Sequence, residues 1–485
     1  MLRVLKGNIF FVILLAGVFY QCAQPVAEKQ LPNIVLVIAD DLGWMDVGYN
    51  GQKFYETPHI DQLAREGMIF DRFYPSAANC APSRASIVTG TYSPRHHVYL
   101  PNGYARGNVD KHRFKVPTNG EDSTQFTFQV NVNHVDPAFM SLAELLKQKG
   151  YITARLGKWH IGDDNQGFDS LSSSGYFGDI SNVGGEEGRY YNDTAVARRL
   201  TDAAVTFIEK HQNQPFFVYL THWEVHTPMS ARNDRISYYE EKLKQFPGEK
   251  YVPVYAAEVE QVDRSVGRVM QKLKDLNIDK NTLFIFTSDN GGLVRLTDNS
   301  PLRAGKGTFY EGGIRVPMCA RWPDVIPPGI RTDHHAMGID FMPTFSEITG
   351  APGPTNQPID GISFASVLQG EKSEIQRDQY FHFPLYLEGS GEKEQVLPVY
   401  GTEDGFWRAV PSTTLIRGDW KLIYYYEYET YELFNLGSDL SETKDVAKEN
   451  PELVREMLKS IAEWTDEVNA PIPNVINDKF AGTDL

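Results

Sequence analysis

The sequence predicts an α/β fold: an open, mostly parallel sheet, followed by a smaller carboxyl-terminal part with antiparallel strands. Three observations carry this. Residues 34–39, 216–220 and 283–288 are continuous apolar runs of strand length, the pattern of strands buried on both faces. Residues 194–211 and 255–276 repeat apolar side chains at helical spacing, so amphipathic helices separate those strands. Late in the chain, residues 414–416 and 420–425 flank Arg417-Gly418-Asp419 as a hairpin, with a further strand at 431–434.

At the amino terminus Arg3 and Lys6 precede an unbroken apolar run, residues 9–20. That run is too short to span a bilayer and has the form of a secretory signal, here residues 1–23. Cys22 lies just past it. Lipid attachment at Cys22, which would anchor the chain to a membrane, and cleavage near Ala23 both stay open. The expectation is export, to the periplasm or the outer-membrane surface. Beyond Cys22 only Cys80 and Cys319 remain, too few for a disulfide scaffold. The 485 residues suit a large domain at 31–372 and a smaller one at 373–485, with a polar, charged break near 370–377. A net charge of −16 excludes a nucleic-acid partner, which needs a basic face. A polyanionic substrate would need a local basic pocket against that overall field.

Taken in order, the first buried strand (34–39) ends in Asp40-Asp41-Leu42-Gly43. Adjacent carboxylates at a strand end repel each other unless a cation lies between them, and a hard divalent ion bound through oxygen resolves this. Residues 59–67 read as a short helix and 68–74 as a strand. The segment Asn79-Cys80-Ala81-Pro82-Ser83-Arg84 then opens a helix that stops at Gly90. Pro82 suits a first turn, and Cys80 would stand at the helix's positive end. Residues 99–137 lose all periodicity and are expected to wall a substrate site.

Ser141 and Glu144 form a capping-box pattern ahead of a helix ending at Gly150. The strand 151–154 delivers Gly157-Lys158-Trp159-His160. Lys158 and His160, two apart, share a face in extended backbone, which suits an anion with a proton to move. Residues 163–192 are a second Gly- and Ser-rich loop. The strand 216–220 ends at His222-Trp223-Glu224-Val225-His226, whose spacing is not a zinc signature. His226 is the functional candidate, with His222 as support. The strand 283–288 ends at Asp289-Asn290-Gly291-Gly292. Gly305-Lys306-Gly307 lets backbone approach an anion with Lys306 as its charge, without the form of a nucleotide loop. Residues 316–320 are strand-like, a helix starts near 341, and residues 450–469 close the chain as a helix.

Ligands bind beyond the carboxyl ends of strands in open α/β sheets, so these three polar strand ends should converge. They offer carboxylates and an amide to a cation, and Arg84, Lys158, His160, His226 and Lys306 to an anion. That chemistry is hydrolysis of a sulfate or phosphate ester by metal-assisted nucleophilic catalysis. The blocks Cys80-x-Pro82-x-Arg84, Asp40-Asp41-Leu42-Gly43, Gly157-Lys158-Trp159-His160, Val225-His226-Thr227-Pro228, Ser288-Asp289-Asn290-Gly291 and Gly305-Lys306-Gly307-Thr308 resemble, in order, those of the type I sulfatases. These are the formylglycine-dependent branch of the alkaline phosphatase superfamily.

The resemblance implies an alkaline phosphatase-like α/β/α sandwich with a large mixed, mostly parallel sheet and a carboxyl-terminal α+β subdomain. It implies that a maturation enzyme oxidises Cys80 to formylglycine, whose hydrate attacks sulfur and then expels sulfate by re-forming the aldehyde. One calcium ion would be held by Asp40, Asp41, Asp289 and Asn290 with residue 80, and Asp289 would take the attacking hydroxyl's proton. Arg84 and Lys158 would orient the nucleophile and neutralise sulfate. His226 and Lys306 would bind sulfate and assist the leaving oxygen, and His160 would take the proton as the intermediate collapses. The implied substrate is a sulfated glycan, with algal ulvan or galactan, glycosaminoglycan and mucin glycan unranked. Specificity candidates are His222, Arg303 and Trp407, then His96, His97, Arg295, His334 and His382. Two alternatives remain: a formylglycine-dependent phosphonate or phosphate-ester hydrolase, and a non-catalytic glycan-binding relative.

Overall fold

The computed structural model describes residues 30–101, 113–115, 132–174, 193–371, 377–388, 407–427 and 429–478. The expected signal segment with Cys22, and most of the two expected loops at 99–137 and 163–192, lie outside them. Among the described residues no helix is long and apolar enough to cross a membrane.

The first strand, β1 (Asn33–Ala39), is buried along its whole length. Helix α1 (Pro58–Arg65) and strand β2 (Met68–Tyr74) lead to helix α2 (Cys80–Thr89), all ten of whose residues are buried. Helix α3 (Leu142–Lys147) starts at the expected capping box, with Ser141 Oγ accepting from the Glu144 amide at 3.1 Å. Strands β3 (Ile152–Gly157) and β4 (Ser170–Ser172) come next. Helix α4 (Val196–His211) precedes β5 (Phe216–Thr221). Helices α5 (Asn233–Leu243) and α6 (Pro253–Asp275) then lead to β6 (Thr282–Ser288), β7 (Val316–Arg321), β8 (Ile330–Met337) and α7 (Phe341–Thr349).

These strands form one eight-stranded sheet in the order β4-β3-β5-β1-β6-β7-β2-β8. Its pairs are parallel except at β7, which runs against both β6 and β2. The sheet is therefore mixed and mostly parallel, as the resemblance implied. One face of the sheet carries α4 and α6 on Val35, Val37, Leu200, Phe207, Val262 and Val266. The periodicity missed three pieces. β8 alternates exposed and half-buried residues and follows a Pro-Pro-Gly turn, so it lacks the apolar run that marks an inner strand. β4 has three residues, and α5 is mostly polar with one buried side chain, Tyr239.

A second sheet uses β9 (Asp378–Phe383), then, after the short pair β10 (Leu387–Glu388) and β11 (Trp407–Ala409), β12 (Ser412–Arg417), β13 (Trp420–Tyr425) and β14 (Thr430–Asn435). Its order is β14-β13-β12-β9, antiparallel throughout. Helix α8 (Pro451–Glu467) packs on it with Val454, Met457, Ile461 and Trp464. The same apolar cluster takes in Tyr74, Phe309, Tyr310 and Ile314 from the first sheet's side. Residues 32–485 accordingly form one compact unit. The expected boundary at 372/373 falls in a stretch outside the described residues.

Candidate active site

Parallel register brings the polar strand ends together. Ile38 lies opposite Thr221 on β5, and Ala39 opposite Ser288 on β6. The main chain continues that pairing past the strands: Asp40 N–H donates to Glu224 O at 2.8 Å, and Asp289 N–H to Ala39 O at 3.2 Å. Lys158 arrives from β3, its N–H on Thr221 O at 2.9 Å. Gly157 makes that arrival feasible. Its φ is 100°, and a Cβ there would lie 1.7 Å from Thr221 O.

Cys80 sits in the first turn of α2, slightly earlier than Pro82 alone suggested, with Asn79 as the extended cap. Its thiol donates to Asp41 Oδ1 at 3.7 Å and receives Lys306 Nζ at 3.3 Å. Lys306 also donates to Asp41 Oδ2 at 2.7 Å. Lys158 Nζ meets Asp40 Oδ2 at 2.6 Å. Arg84 Nε donates to Asp289 Oδ2 at 2.8 Å, its Nη2 lies 2.7 Å from the same oxygen as an ion pair, and its Nη1 donates to the Lys158 carbonyl at 2.7 Å. Asn290 Nδ2 donates to Asp41 Oδ1 at 2.8 Å. Three buried carboxylates thus face three cations, so the cluster is close to neutral before any ligand arrives.

Ligand atoms of Asp40, Asp41, Cys80 and Asp289 all lie within 4.8 Å of one another. Two buried acceptors, Asp40 Oδ1 and Asn290 Oδ1, have no hydrogen-bond donor among the described residues. Orphaned oxygens beside clustered carboxylates fit a hard, oxygen-seeking cation.

The electrostatics divide the carboxylates. Burial raises the pKa of Asp41, but Lys306, His226 and Lys158 outweigh it and hold the group well below the carboxylate range. Burial wins at Asp289, whose pKa rises to about 6 against the pull of Arg84. Burial also pushes the Cys80 thiol up, so the unmodified residue is a poor nucleophile. His226 and His160 are held far down by burial, the first to about 3, with Lys306 then Lys158 acting on His226, and Lys158 then Arg84 on His160. His226 Nδ1 lies 2.6 Å from Thr227 O, so its N–H points there and Nε2 turns toward Asp41 at 3.7 Å. His160 adopts a left-handed φ of 68°, and its buried Nδ1 has no partner among the described residues.

Residues 32–351 match the family model described as Sulfatase, and residues 305–467 the one described as N-sulphoglucosamine sulphohydrolase, C-terminal. The chain belongs to the sulfatase family. It is a type I sulfatase of the alkaline phosphatase superfamily, hence a sulfuric ester hydrolase. This sulfatase is 31% identical to a "Sulfatase" of Formosa agariphila, over 96% of its own length and 94% of the relative's. It is 32% identical to the N-acetylgalactosamine-6-sulfatase of Canis lupus familiaris, over 70% of this chain and 66% of that one. Among solved structures it is similar to Ps i-CgsB in complex with k-i-k-neocarrahexaose, with a TM-score of 0.69 and 30% identity over 90% of this chain and 93% of that one.

The specificity candidates fare differently from the core set. His222 is fully buried, its Nε2 2.9 Å from Ser265 Oγ, so it supports the floor of the segment rather than facing the cluster. Arg303 turns away too: it donates to Glu442 O at 2.8 Å and stacks 3.9 Å from the Tyr310 ring centroid. His382 is buried between Thr413 and Pro471, and His96 between Ser86 and Val98. Arg295 is exposed, and His97 and His334 are half-buried. The Trp407 side chain lies outside the described set.

Sequence reasoning overlooked a supporting layer. Asn299 Nδ2 donates to Gly292 O at 2.9 Å and to Ala304 O at 3.0 Å, tying the Asp289-Asn290 strand end to the Lys306 loop. Asp46 accepts from Gly43 N–H, Tyr255 and Thr297, fixing the turn after Asp41. Only a polar loop between two motifs marks Asn299 in sequence, and that pattern has no unique meaning.

Proposed function

We propose that this sulfatase removes sulfate esters from a sulfated carbohydrate, using residue 80 as formylglycine and one calcium ion. The observation that carries the reading is the convergence of Asp40, Asp41, Cys80 and Asp289 within 4.8 Å, ringed by Arg84, Lys158 and Lys306. Asp40, Asp41, Asp289 and Asn290 would hold the calcium. The ion and the hydrated aldehyde would supply Lewis-acid polarisation and a nucleophile that regenerates itself without water attacking sulfur.

The chain's own residues do the rest. Lys306 and Lys158 neutralise the sulfate oxygens; Lys158 is fully buried and Lys306 only 12% exposed, so little water screens either charge. Asp289, raised to about 6, is suited to take a proton from the attacking hydroxyl. Burial, then Lys306 and Lys158, hold His226 neutral, and an incoming sulfate would offset the two lysines. His226 Nε2 can then carry a proton to the leaving sugar oxygen. His160 would accept a proton from residue 80 as sulfate is released. Arg84, bound to Asp289 and to the Lys158 carbonyl, keeps base and cation in register.

The names of the relatives make N-acetylgalactosamine 6-sulfate and carrageenan oligosaccharides the first substrates to try. Export, with the amino-terminal signal removed or lipidated at Cys22, belongs to the same proposal, as does a maturation enzyme acting on the unfolded chain.

The test is desulfation of a glycan panel, alongside sulfate and phosphate esters, by protein co-produced with a formylglycine-generating enzyme. Released sulfate is expected, with Cys80→Ala inactive and residue 80 detected as aldehyde by mass spectrometry. Faster phosphate turnover would replace the sulfatase assignment with the phosphohydrolase alternative. An unmodified Cys80 in a glycan-binding protein would favour the non-catalytic one.

A further inference from the structure

Outside the catalytic cluster, a groove of about 610 Å³ lies between α4, the start of α5 and α6. Its lining includes Arg198, Arg232, Arg235, Arg264 and Arg268, together with Gln261. In a chain of net charge −16 that concentration of guanidinium groups is out of character. It belongs to none of the sulfatase motifs.

The arginines are organised in pairs. Asp202 is shared by Arg198 at 3.2 Å and Arg268 at 2.6 Å. Glu260 is shared by Arg235 at 2.7 Å and by Arg264. Arg232 pairs with Asp234 at 2.9 Å. Among the described residues, five guanidinium groups thus pair with three carboxylates, an excess of two positive charges. A carboxylate bridging two arginines holds both forks in place, so an anion finds them already oriented. Beside the groove Arg235 stacks 4.3 Å from the ring centroid of Tyr238, and that ring is 41% exposed. An exposed aromatic face next to paired cations offers a sugar ring a surface and its sulfates their partners.

We propose that this groove is a second, non-catalytic site for a polyanionic saccharide, holding a sulfated stretch of the polymer whose esters are cleaved elsewhere on the chain. It rests on the reading of the substrate as a sulfated carbohydrate. The site would keep the enzyme on a long chain, so its effect grows with substrate length.

The experiment uses the full chain carrying Cys80→Ala, to prevent turnover, and dextran sulfate as probe, with unsulfated dextran and polyphosphate as comparisons. In calorimetry, Arg198→Gln with Arg264→Gln is expected to weaken dextran sulfate binding at least fivefold and to flatten its salt dependence. Lys444→Gln with Lys459→Gln, which removes two exposed cations away from the groove, is expected to leave affinity within twofold. In the matured enzyme the arginine pair should leave hydrolysis of a small aryl sulfate within twofold. Unchanged dextran sulfate affinity in the arginine variant overturns the proposal. So does binding of unsulfated dextran as tightly as the sulfated polymer, and polyphosphate binding as tightly removes the saccharide from it. If the catalytic reading is wrong, the matured wild type fails on aryl sulfate, and the binding measurements still stand on their own.

Discussion

Lys421, on β13 of the small sheet, reaches Glu311 at 3.1 Å, and both side chains are fully buried. Glu311 lies five residues beyond Lys306, and Lys421 also holds Glu442 at 2.8 Å. The Glu442 carboxylate in turn accepts the Glu311 N–H at 2.7 Å. The small sheet therefore anchors the end of the segment that carries Lys306. Lys421→Met leaves two buried carboxylates with their shared cation gone, a loss of about 3–5 kcal/mol. The expected outcome is a lowered Tm and lost hydrolysis, both read on the matured enzyme. An unchanged Tm would show that the pair is incidental.

Asn299 predicts a subtler phenotype. Asn299→Ala removes both bonds from its amide to Gly292 O and Ala304 O and leaves those carbonyls short of a donor, a cost of about 1–3 kcal/mol. Lys306 N–H still donates to Gly292 O at 3.0 Å, so the loop should loosen rather than leave. Steady-state kinetics should show turnover slowed by roughly one to two orders of magnitude, the cost of a slightly misplaced cation, with a smaller change in KM. Asn299→Asp should not rescue, because it replaces the amide donor with an acceptor.

Cation binding has a readout independent of turnover. If Asp40, Asp41, Asp289 and Asn290 hold calcium, a chelator lowers the Tm of the Cys80→Ala chain and added calcium restores it, by mass action on the folded state. Asp41→Asn should remove most of that response. Wild-type-like calcium stabilisation in Asp41→Asn would move the ion elsewhere.

Asp263 sets a pH dependence away from the active site. It is buried under α1 and accepts from His59 N–H at 2.9 Å and Ile60 N–H at 2.8 Å, and burial raises its pKa to about 7. The folded state therefore keeps a proton that the unfolded state releases near pH 4. Its contribution to stability is full below about pH 4 and declines as pH rises toward 7. Asp263→Asn keeps an acceptor oxygen without the titration. Relative to wild type it should gain on the order of 3 kcal/mol between pH 5 and 8 in denaturant melts. Parallel pH profiles for the two proteins would contradict this.

Much of the site was readable along the chain because its chemistry is local. Asp40-Asp41, Asp289-Asn290 and the Cys80 segment each combine a buried strand or helix start with polar residues that need a partner. His222 and Arg303 misled for a complementary reason. Both are polar residues close to motifs, and a polar side chain beside a site satisfies its bonding inward as readily as toward a ligand. His222 found Ser265, and Arg303 found Glu442 and Tyr310. Among the described elements, the strands the periodicity missed include the edge strand β8, with mixed burial, and β4, of only three residues, and in the carboxyl-terminal part β9, β10 and β11.

By itself the sequence determined the buried strands, the helices between them, and which residues end those strands, since hydrophobic period and end-residue chemistry act over a few positions. Tertiary structure alone decided that Asn299 ties the Asp289 strand end to the Lys306 loop and that Lys421 holds that loop's end from another sheet. It also decided that five arginines from α4, from α5 and the residue capping it, and from α6 meet in one groove. Those relations join residues far apart along the chain, and only packing sets the distances that make a carboxylate a ligand, a base or a strut.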